Sequence, residues 1–388
     1  DYHVFAVEPR VSRIFFAGPT TQEVGIGYRY LKEAMNERAS QLALVDNVPT
    51  VRPGSDGHTY QDRTGGTEAS AFYIDDKIDV GNWTITPGIR FEKIDSDWRD
   101  RPVLGLNGKP VQEKKRSKDY NEPLPALSLM YHLSDEWKLF ANYSESFGSL
   151  QYFQLGQGGS GNDTAAGLEP EKAKTYELGT RYDNGSWGGE ITLFYIDFDD
   201  ELQYVSNDVG WTNLGATKHQ GIETSGHYDF AALDPRLVGL SVYGSLTYTR
   251  ATYEGDIPSF KGRDLPLYSR QVATAGVRYE VDRWTYNLDA FAQSMQRAPG
   301  LSTDSQGNFT HNYITEPSAD GQYGDIPGYV TWNARVGYDF GPQASNLKLG
   351  LGVKNLFDKQ YFTRSSDNNS GIYVGQPRTL FMQASVGF

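Results

Sequence analysis

The chain has 388 residues, with 36 Lys and Arg against 49 Asp and Glu for a net charge of -13, no cysteine, 42 glycines and 26 tyrosines. Without cysteine there is no disulfide scaffold, no thiolate metal centre and no thiol chemistry, and the acidic balance lacks the basic surface that phosphate contacts need, so no nucleic acid is expected as a partner. No run approaches the ~18 apolar residues of a membrane-crossing helix, and 38% hydrophobic content with a mean hydropathy of -0.57 leaves a loop-rich soluble β protein or a membrane β-barrel with a polar interior.

In chain order, Asp1 to Val4 carry neither a basic start nor an apolar signal core, so the chain reads as mature or as an internal fragment. The first recognisable strand runs from Val11 to Gly18. Further on, Trp83, Ile85, Pro87, Ile89 and Phe91 share one face and Thr84, Thr86, Gly88, Arg90 and Glu92 the other. The same alternation places Val330, Trp332, Ala334, Val336, Tyr338 and Phe340 together, then Leu347, Leu349, Leu351 and Val353, and finally Leu380, Met382, Ala384, Val386 and Phe388. There are about fifteen such period-2 segments and no convincing amphipathic helix.

Alternation alone does not tell a barrel from a sandwich, whose apolar face is buried; the connections do. Short ones near 18–22, 79–82, 134–136, 183–186, 231–239, 281–283 and 341–346 alternate with mostly longer ones near 34–66, 96–122, 150–172, 201–218, 254–266, 297–327 and 363–375. Short turns on one rim and long loops on the other are the layout of an outer-membrane barrel. Trp83, Trp137, Trp187 and Trp284 each open a strand just after a short turn, as an interfacial aromatic girdle requires. The fold class is therefore all-β, a transmembrane antiparallel up-and-down β-barrel. An odd segment count cannot close such a barrel, so either one strand escapes the pattern or the N-terminal part is missing, and the abrupt start at Asp1 favours the second.

Asn355-Leu356-Phe357-Asp358-Lys359-Gln360-Tyr361-Phe362, then Gln376-Pro377-Arg378-Thr379-Leu380 and a terminal Phe388, resemble the last two strands of TonB-dependent outer-membrane receptors. Leu168-Glu169-Pro170-Glu171-Lys172 with Tyr176-Glu177-Leu178-Gly179 resembles another segment of that family. A fuller likeness runs through Glu23 to Leu31, Asp75 to Asp79, Gly81 to Gly88 and Gly371 to Leu380, and it is to the family's ferric dicitrate receptors. The resemblance implies that residues 1–388 are the C-terminal part of a 22-stranded barrel with a plugged lumen, without the plug and first strands. It implies import of ferric citrate across the outer membrane of a Gram-negative bacterium, driven by the TonB-ExbB-ExbD complex through parts absent here. Outer-membrane lipids and lipopolysaccharide are further implied partners. No enzymatic activity and no cofactor are implied, the iron being carried as the chelate. A passive porin-like channel and a receptor for another ferric siderophore are the alternatives; an outer-membrane hydrolase needs a nucleophile and base that the sequence does not bring together.

An anionic chelate calls for Arg forks and neutral amide donors. In the resembling receptors two of the ligand's arginines fall upstream of Asp1. A third precedes the Gly66-Thr67-Glu68-Ala69 segment, where strict alignment brings Gln61 and a two-residue slip brings Arg63; charge complementarity favours Arg63. A glutamine of the next loop aligns with Ser206, beside Asn207, and an asparagine of the last long loop matches Asn368, beside Asn369. The resemblance implies that the Gly-rich stretch 150–172 and residues 201–218 close over the bound chelate as mobile lids, while their composition also fits loops that are simply flexible. Lys114, Lys115, Arg116 and Lys118 are expected in a solvated loop. The histidines, among them His3, His132 and His219, show no paired ligand spacing, so direct ligation of iron by the protein is not expected.

Overall fold

The computed structural model describes residues 1–40, 42–45, 48–51, 59–104, 110–156, 167–206, 210–213, 215–255, 261–297, 301–303, 309–311, 325–365 and 372–387. Sixteen strands share one sheet: β1 (Tyr2–Val7), β2 (Arg10–Ala17), β3 (Thr20–Ser40), β4 (Thr59–Val80), β5 (Trp83–Asp100), β6 (Lys114–His132), β7 (Trp137–Gly148), β8 (Glu171–Asp183), β9 (Trp187–Asp199), β10 (Thr217–Asp229), β11 (Leu240–Tyr253), β12 (Gln271–Val281), β13 (Trp284–Gln293), β14 (Tyr329–Asp339), β15 (Lys348–Lys354) and β16 (Thr379–Ser385). From β3 onward, neighbours in sequence are neighbours in the sheet, so the topology is a meander. β1 and β2 lie along β3 in a single register, Val7 opposite Tyr30 and Arg10 opposite Gly27, with Glu8-Pro9 between them. Proline has no N–H to give the ladder, but the Pro9 carbonyl still accepts the Tyr28 N–H at 3.1 Å. The sixteen strands thus occupy fifteen positions, which matches the segment count expected from alternation, and β1 adds a stretch that alternation had not marked.

Strands open at Trp83, Trp137, Trp187 and Trp284, as expected. The long connections are the main correction. β3 runs to Ser40, β4 starts at Thr59, β5 reaches Asp100 and β6 starts at Lys114. The 21 and 22 residues of β3 and β4 far exceed the ~9–11 needed to cross a bilayer. The expected loops at 34–66 and 96–122 are therefore largely ladder, and Lys114, Lys115, Arg116 and Lys118 sit on a strand.

The chain divides into two compact units. The first comprises Asp1–Ser128, Ser144–Ala173 and Asp199–Leu214. One face of its sheet exposes Ile26, Tyr28, Phe72, Ile74 and Phe91. The opposite face carries its core, in which Trp98, Leu150, Leu155 and Leu168 are buried together. The second unit comprises Leu129–Tyr143, Lys174–Phe198 and Gly215–Phe388. Val277, Leu288, Val336, Leu351 and Met382 line one face, with Leu351, Leu380 and Met382 60–78% exposed. The other face is a polar network in which Asn287 and Asn333 both donate to Asp289, at 2.9 and 2.7 Å. A broad exposed apolar face backed by a polar one is the reverse of a soluble sandwich and marks a membrane-facing surface.

At the short-turn end of the second unit the aromatics contact one another on the apolar face. Tyr182 lies 6.3 Å from Trp137 and 4.3 Å from Trp187, Trp284 lies 4.7 Å from Tyr338, and the Trp137 indole N–H donates to Thr180 Oγ1 at 2.7 Å.

Candidate functional site

The site is on the core-bearing face of the first unit, at its long-loop end. There β4 and β5 pair Arg63 with Asp100, Gly65 with Trp98 and Thr67 with Ser96. Residues two apart share a face, so Arg63, Trp98 and Asp100 stand together. Asp100 accepts from Arg63 Nε at 2.9 Å through Oδ1 and from Trp98 Nε1 at 3.1 Å through Oδ2. The Arg63 guanidinium lies over the Trp98 ring, 5.7 Å from its centroid. Gly65 makes room for this stack, since a Cβ there would come within 2.7 Å of Tyr152 and 2.9 Å of Trp98.

A short helix, Tyr152–Gly156, folds onto the wall. Tyr152 stacks on Trp98 at 6.3 Å and 15°. The Leu150 N–H donates to the Tyr120 hydroxyl at 3.1 Å, and Arg116 Nη1 donates to the Leu155 carbonyl. Burial pushes the Tyr120 phenol up to about 12, so it stays protonated while its oxygen accepts. A hairpin, Leu202–Ser206 with Gly210–Asn213, adds Leu202 and Trp211 to the same core, and Trp211 lies 6.2 Å from Phe153. The expectation of a loose lid is thus corrected for 150–156 and 167–172: these residues are anchored by packing and hydrogen bonds, while 157–166 lie outside the described residues. Beneath the helix a cavity of about 400 Å³ is lined by Arg29, Glu33, Arg90, Glu92, Leu150 and Tyr152 among others. Its cations are partly committed, Arg90 to Glu92 at 2.5 Å and Arg29 to Glu8 at 3.9 Å.

Of the residues singled out from sequence, Arg63 and Gln61 are brought together on one face of β4, Gln61 opposite Ala39. Ser206 ends the first strand of the hairpin. Asn207, Asn368 and Asn369 lie outside the described residues. The basic cluster on β6 is engaged in structure: Lys118 pairs with Glu169 at 2.6 Å, Lys115 with Glu113 at 3.4 Å, and Arg116 holds Leu155. Nothing in the sequence marks Trp98, Asp100 or Tyr152 as site residues, since the charged stretch holding the first two has the composition of a loop.

The family profile described as "TonB dependent receptor-like, beta-barrel" matches residues 5–356. Among curated proteins the chain is similar to the metal-pseudopaline receptor CntO of Pseudomonas aeruginosa, 25% identical over 329 residues covering 83% of this chain and 41% of that protein. It is also similar to the catecholate siderophore receptor Fiu of Escherichia coli, 22% identical over 98% of this chain and 50% of that protein. The chain spans half or less of the length of these relatives. Among solved structures it resembles the ferric citrate transporter FecA in the unliganded form, at 43% identity and a TM-score of 0.80, over 99% of this chain and 54% of that one.

Proposed function

We propose, on the premise that the chain belongs to the TonB-dependent receptor β-barrel family of the Gram-negative outer membrane, that it forms part of a receptor that binds ferric citrate and imports it. The observation that carries the substrate is the 43% identity to a ferric citrate transporter over 99% of the chain, well above the 22–25% to the catecholate and metal-pseudopaline receptors. The wall chemistry agrees: Arg63 presents a planar cation suited to a carboxylate, and Gln61 supplies an amide two residues away. In this reading Asn368 and Ser206 or Asn207 approach the chelate from the loops, the iron keeps the chelate's own oxygens, and the protein recognises the organic shell.

Energy for import comes from the TonB complex, acting on a plug and a TonB-contacting segment outside these residues. The apolar faces of both units meet outer-membrane lipid, and lipopolysaccharide surrounds the strands beyond the bilayer. The test is equilibrium binding to the full-length receptor in detergent, comparing ferric citrate with iron-free citrate, a catecholate and a hydroxamate chelate, with Arg63→Ala alongside. Selective ferric citrate binding that Arg63→Ala weakens supports both substrate and site. Selective binding of a catecholate instead moves the chain to the Fiu-like receptors.

A further inference from the structure

Arginine offers a carboxylate two edges, the side formed by Nε with one Nη and the end formed by the two Nη groups. In this structure the side edge of Arg63 is occupied, because Nε donates to Asp100 Oδ1 at 2.9 Å. Asp100 is held from its other oxygen by the Trp98 indole at 3.1 Å. Trp98 is 3% exposed, wedged against Tyr152 and contacting Leu155 and Leu150 in the core. Among the described residues the Nη groups of Arg63 have no hydrogen-bond partner, and the side chain is 35% exposed.

We infer that Asp100, locked by Trp98, is a positioning residue that aims the end edge of Arg63 at a ligand carboxylate; this rests on the ferric citrate reading above. Asp100 holds Arg63 at Nε, the guanidinium lies over the Trp98 ring, and the two terminal nitrogens are left as a fork. An arginine free to rotate gives up more side-chain entropy on binding than one already held. A ligand that presents a planar carboxylate end-on fits the fork.

A second consequence gives the inference its sign. Asp100 is an anion beside an anion site, so by charge alone its removal strengthens binding of an anionic chelate. By positioning, its removal weakens binding. The experiment is ferric citrate binding to the full-length receptor and to Asp100→Asn, Arg63→Ala and the double variant, with Trp98→Phe as a second probe of the lock. Asp100→Asn keeps the shape but offers one acceptor oxygen where Arg63 and Trp98 each need one, so the lock loses either its hold on Arg63 or its own anchor on Trp98. The substitution is expected to weaken binding about tenfold, the scale of a charge-assisted hydrogen bond, and to have no effect when Arg63 is already Ala. Trp98→Phe, which keeps the ring but removes the N–H, is expected to weaken binding by a smaller factor and again only with Arg63 present. Binding by Asp100→Asn as tight as wild type or tighter, or an equal loss in the Arg63→Ala background, overturns the positioning role and leaves the ferric citrate reading standing. Failure of the wild type to bind ferric citrate overturns that reading and this role with it.

Discussion

Asn213 and Glu169 hold one another reciprocally: Asn213 Oδ1 accepts the Glu169 N–H at 2.9 Å, and Asn213 Nδ2 donates to the Glu169 carbonyl at 2.9 Å. The same Nδ2 donates to the Asp200 carbonyl at 2.6 Å, where Asp200 turns the chain with φ 58°. One amide side chain therefore ties the hairpin Leu202–Ser206 and Gly210–Asn213 to the Leu168-Glu169-Pro170-Glu171 segment. Glu171 adds a second tie by accepting the Leu202 N–H. Asn213→Ala removes three hydrogen bonds and is expected to raise hydrogen exchange across 202–206 and 167–171 by about 1–3 kcal/mol of lost local protection. Exchange that rises in the hairpin alone contradicts the tie.

His219 gives the first prediction with a pH axis. It lies on β10 between outward Lys218 and Gln220, beyond the apolar band marked by Ile222 and Tyr228, and is packed between Phe198 at 5.1 Å and Tyr268 at 5.0 Å. Burial lowers its imidazole to about 4, so the fold favours the neutral ring. The folded value is below the unfolded one of 6.5, so the stabilisation is whole above pH 6.5 and is lost progressively as pH falls toward 4. Protection of amides 217–221 is expected to decline over that window in wild type and to stay flat in His219→Gln, as read by hydrogen exchange from pH 4 to 7.5.

The part of the structure that was legible in the sequence is the part where the two faces of a strand differ in polarity. Val330 to Phe340 alternate because one side meets lipid and the other does not, and the strand appears where the pattern says. Asp95-Ser96-Asp97-Trp98-Arg99-Asp100 is also strand, but Ser96 and Asp100 break up the inward side that Ile94 and Trp98 share, so the sequence contrast between the two faces is lost and the stretch has the composition of a loop. The Arg63–Asp100 pair was out of reach for a further reason: it depends on a register between residues 37 apart. The basic run at 114–118 failed in the same way, its charges being spent on Glu113, Glu169 and a backbone carbonyl. The Leu168 to Lys172 segment was visible as a resemblance, while its work of holding a hairpin appears only in three dimensions.

The assignment of the apolar face to lipid predicts an asymmetry between adjacent positions. Leu351 lies opposite Val336 and Met382 and is 60% exposed. Leu351→Arg is expected to cost about 2–4 kcal/mol, the scale for a cation on the lipid side of a barrel strand. Gln383, on the polar face of β16, accepts from Arg335 at 3.0 Å, and Gln383→Glu replaces that contact with an ion pair. It is expected to change stability by no more than about 0.5 kcal/mol. Equilibrium unfolding of the full-length receptor in lipid vesicles measures both, and equal costs would reverse the face assignment.

Asn355, which opens the Asn-Leu-Phe-Asp stretch, predicts an order among three substitutions. It is 3% exposed with φ 50°, a left-handed conformation that Asn tolerates better than most residues. Its N–H donates to Asn333 Oδ1 at 3.1 Å, linking it to the polar ladder of β13 and β14. Its Nδ2 donates to the carbonyls of Lys359 at 2.9 Å and Gln376 at 3.0 Å, and its Oδ1 accepts the Lys359 N–H at 2.8 Å. One side chain thus closes the turn after β15 and ties it to the strand that returns as β16. Asn355→Gly keeps the backbone geometry and loses the side-chain hydrogen bonds. Asn355→Ala loses the same bonds and adds about 1–2 kcal/mol of left-handed strain. Asn355→Asp keeps the acceptor for Lys359 but sets carboxylate oxygens against two carbonyl oxygens, leaving both acceptors unpaired in a buried place. Loss of protection at the Lys359 amide is therefore expected to be smaller for Gly than for Ala, with Asp weakening the Gln376 side of the turn most. If Gly and Ala behave alike, the left-handed backbone is not what selects Asn here, and its hydrogen bonds alone do so.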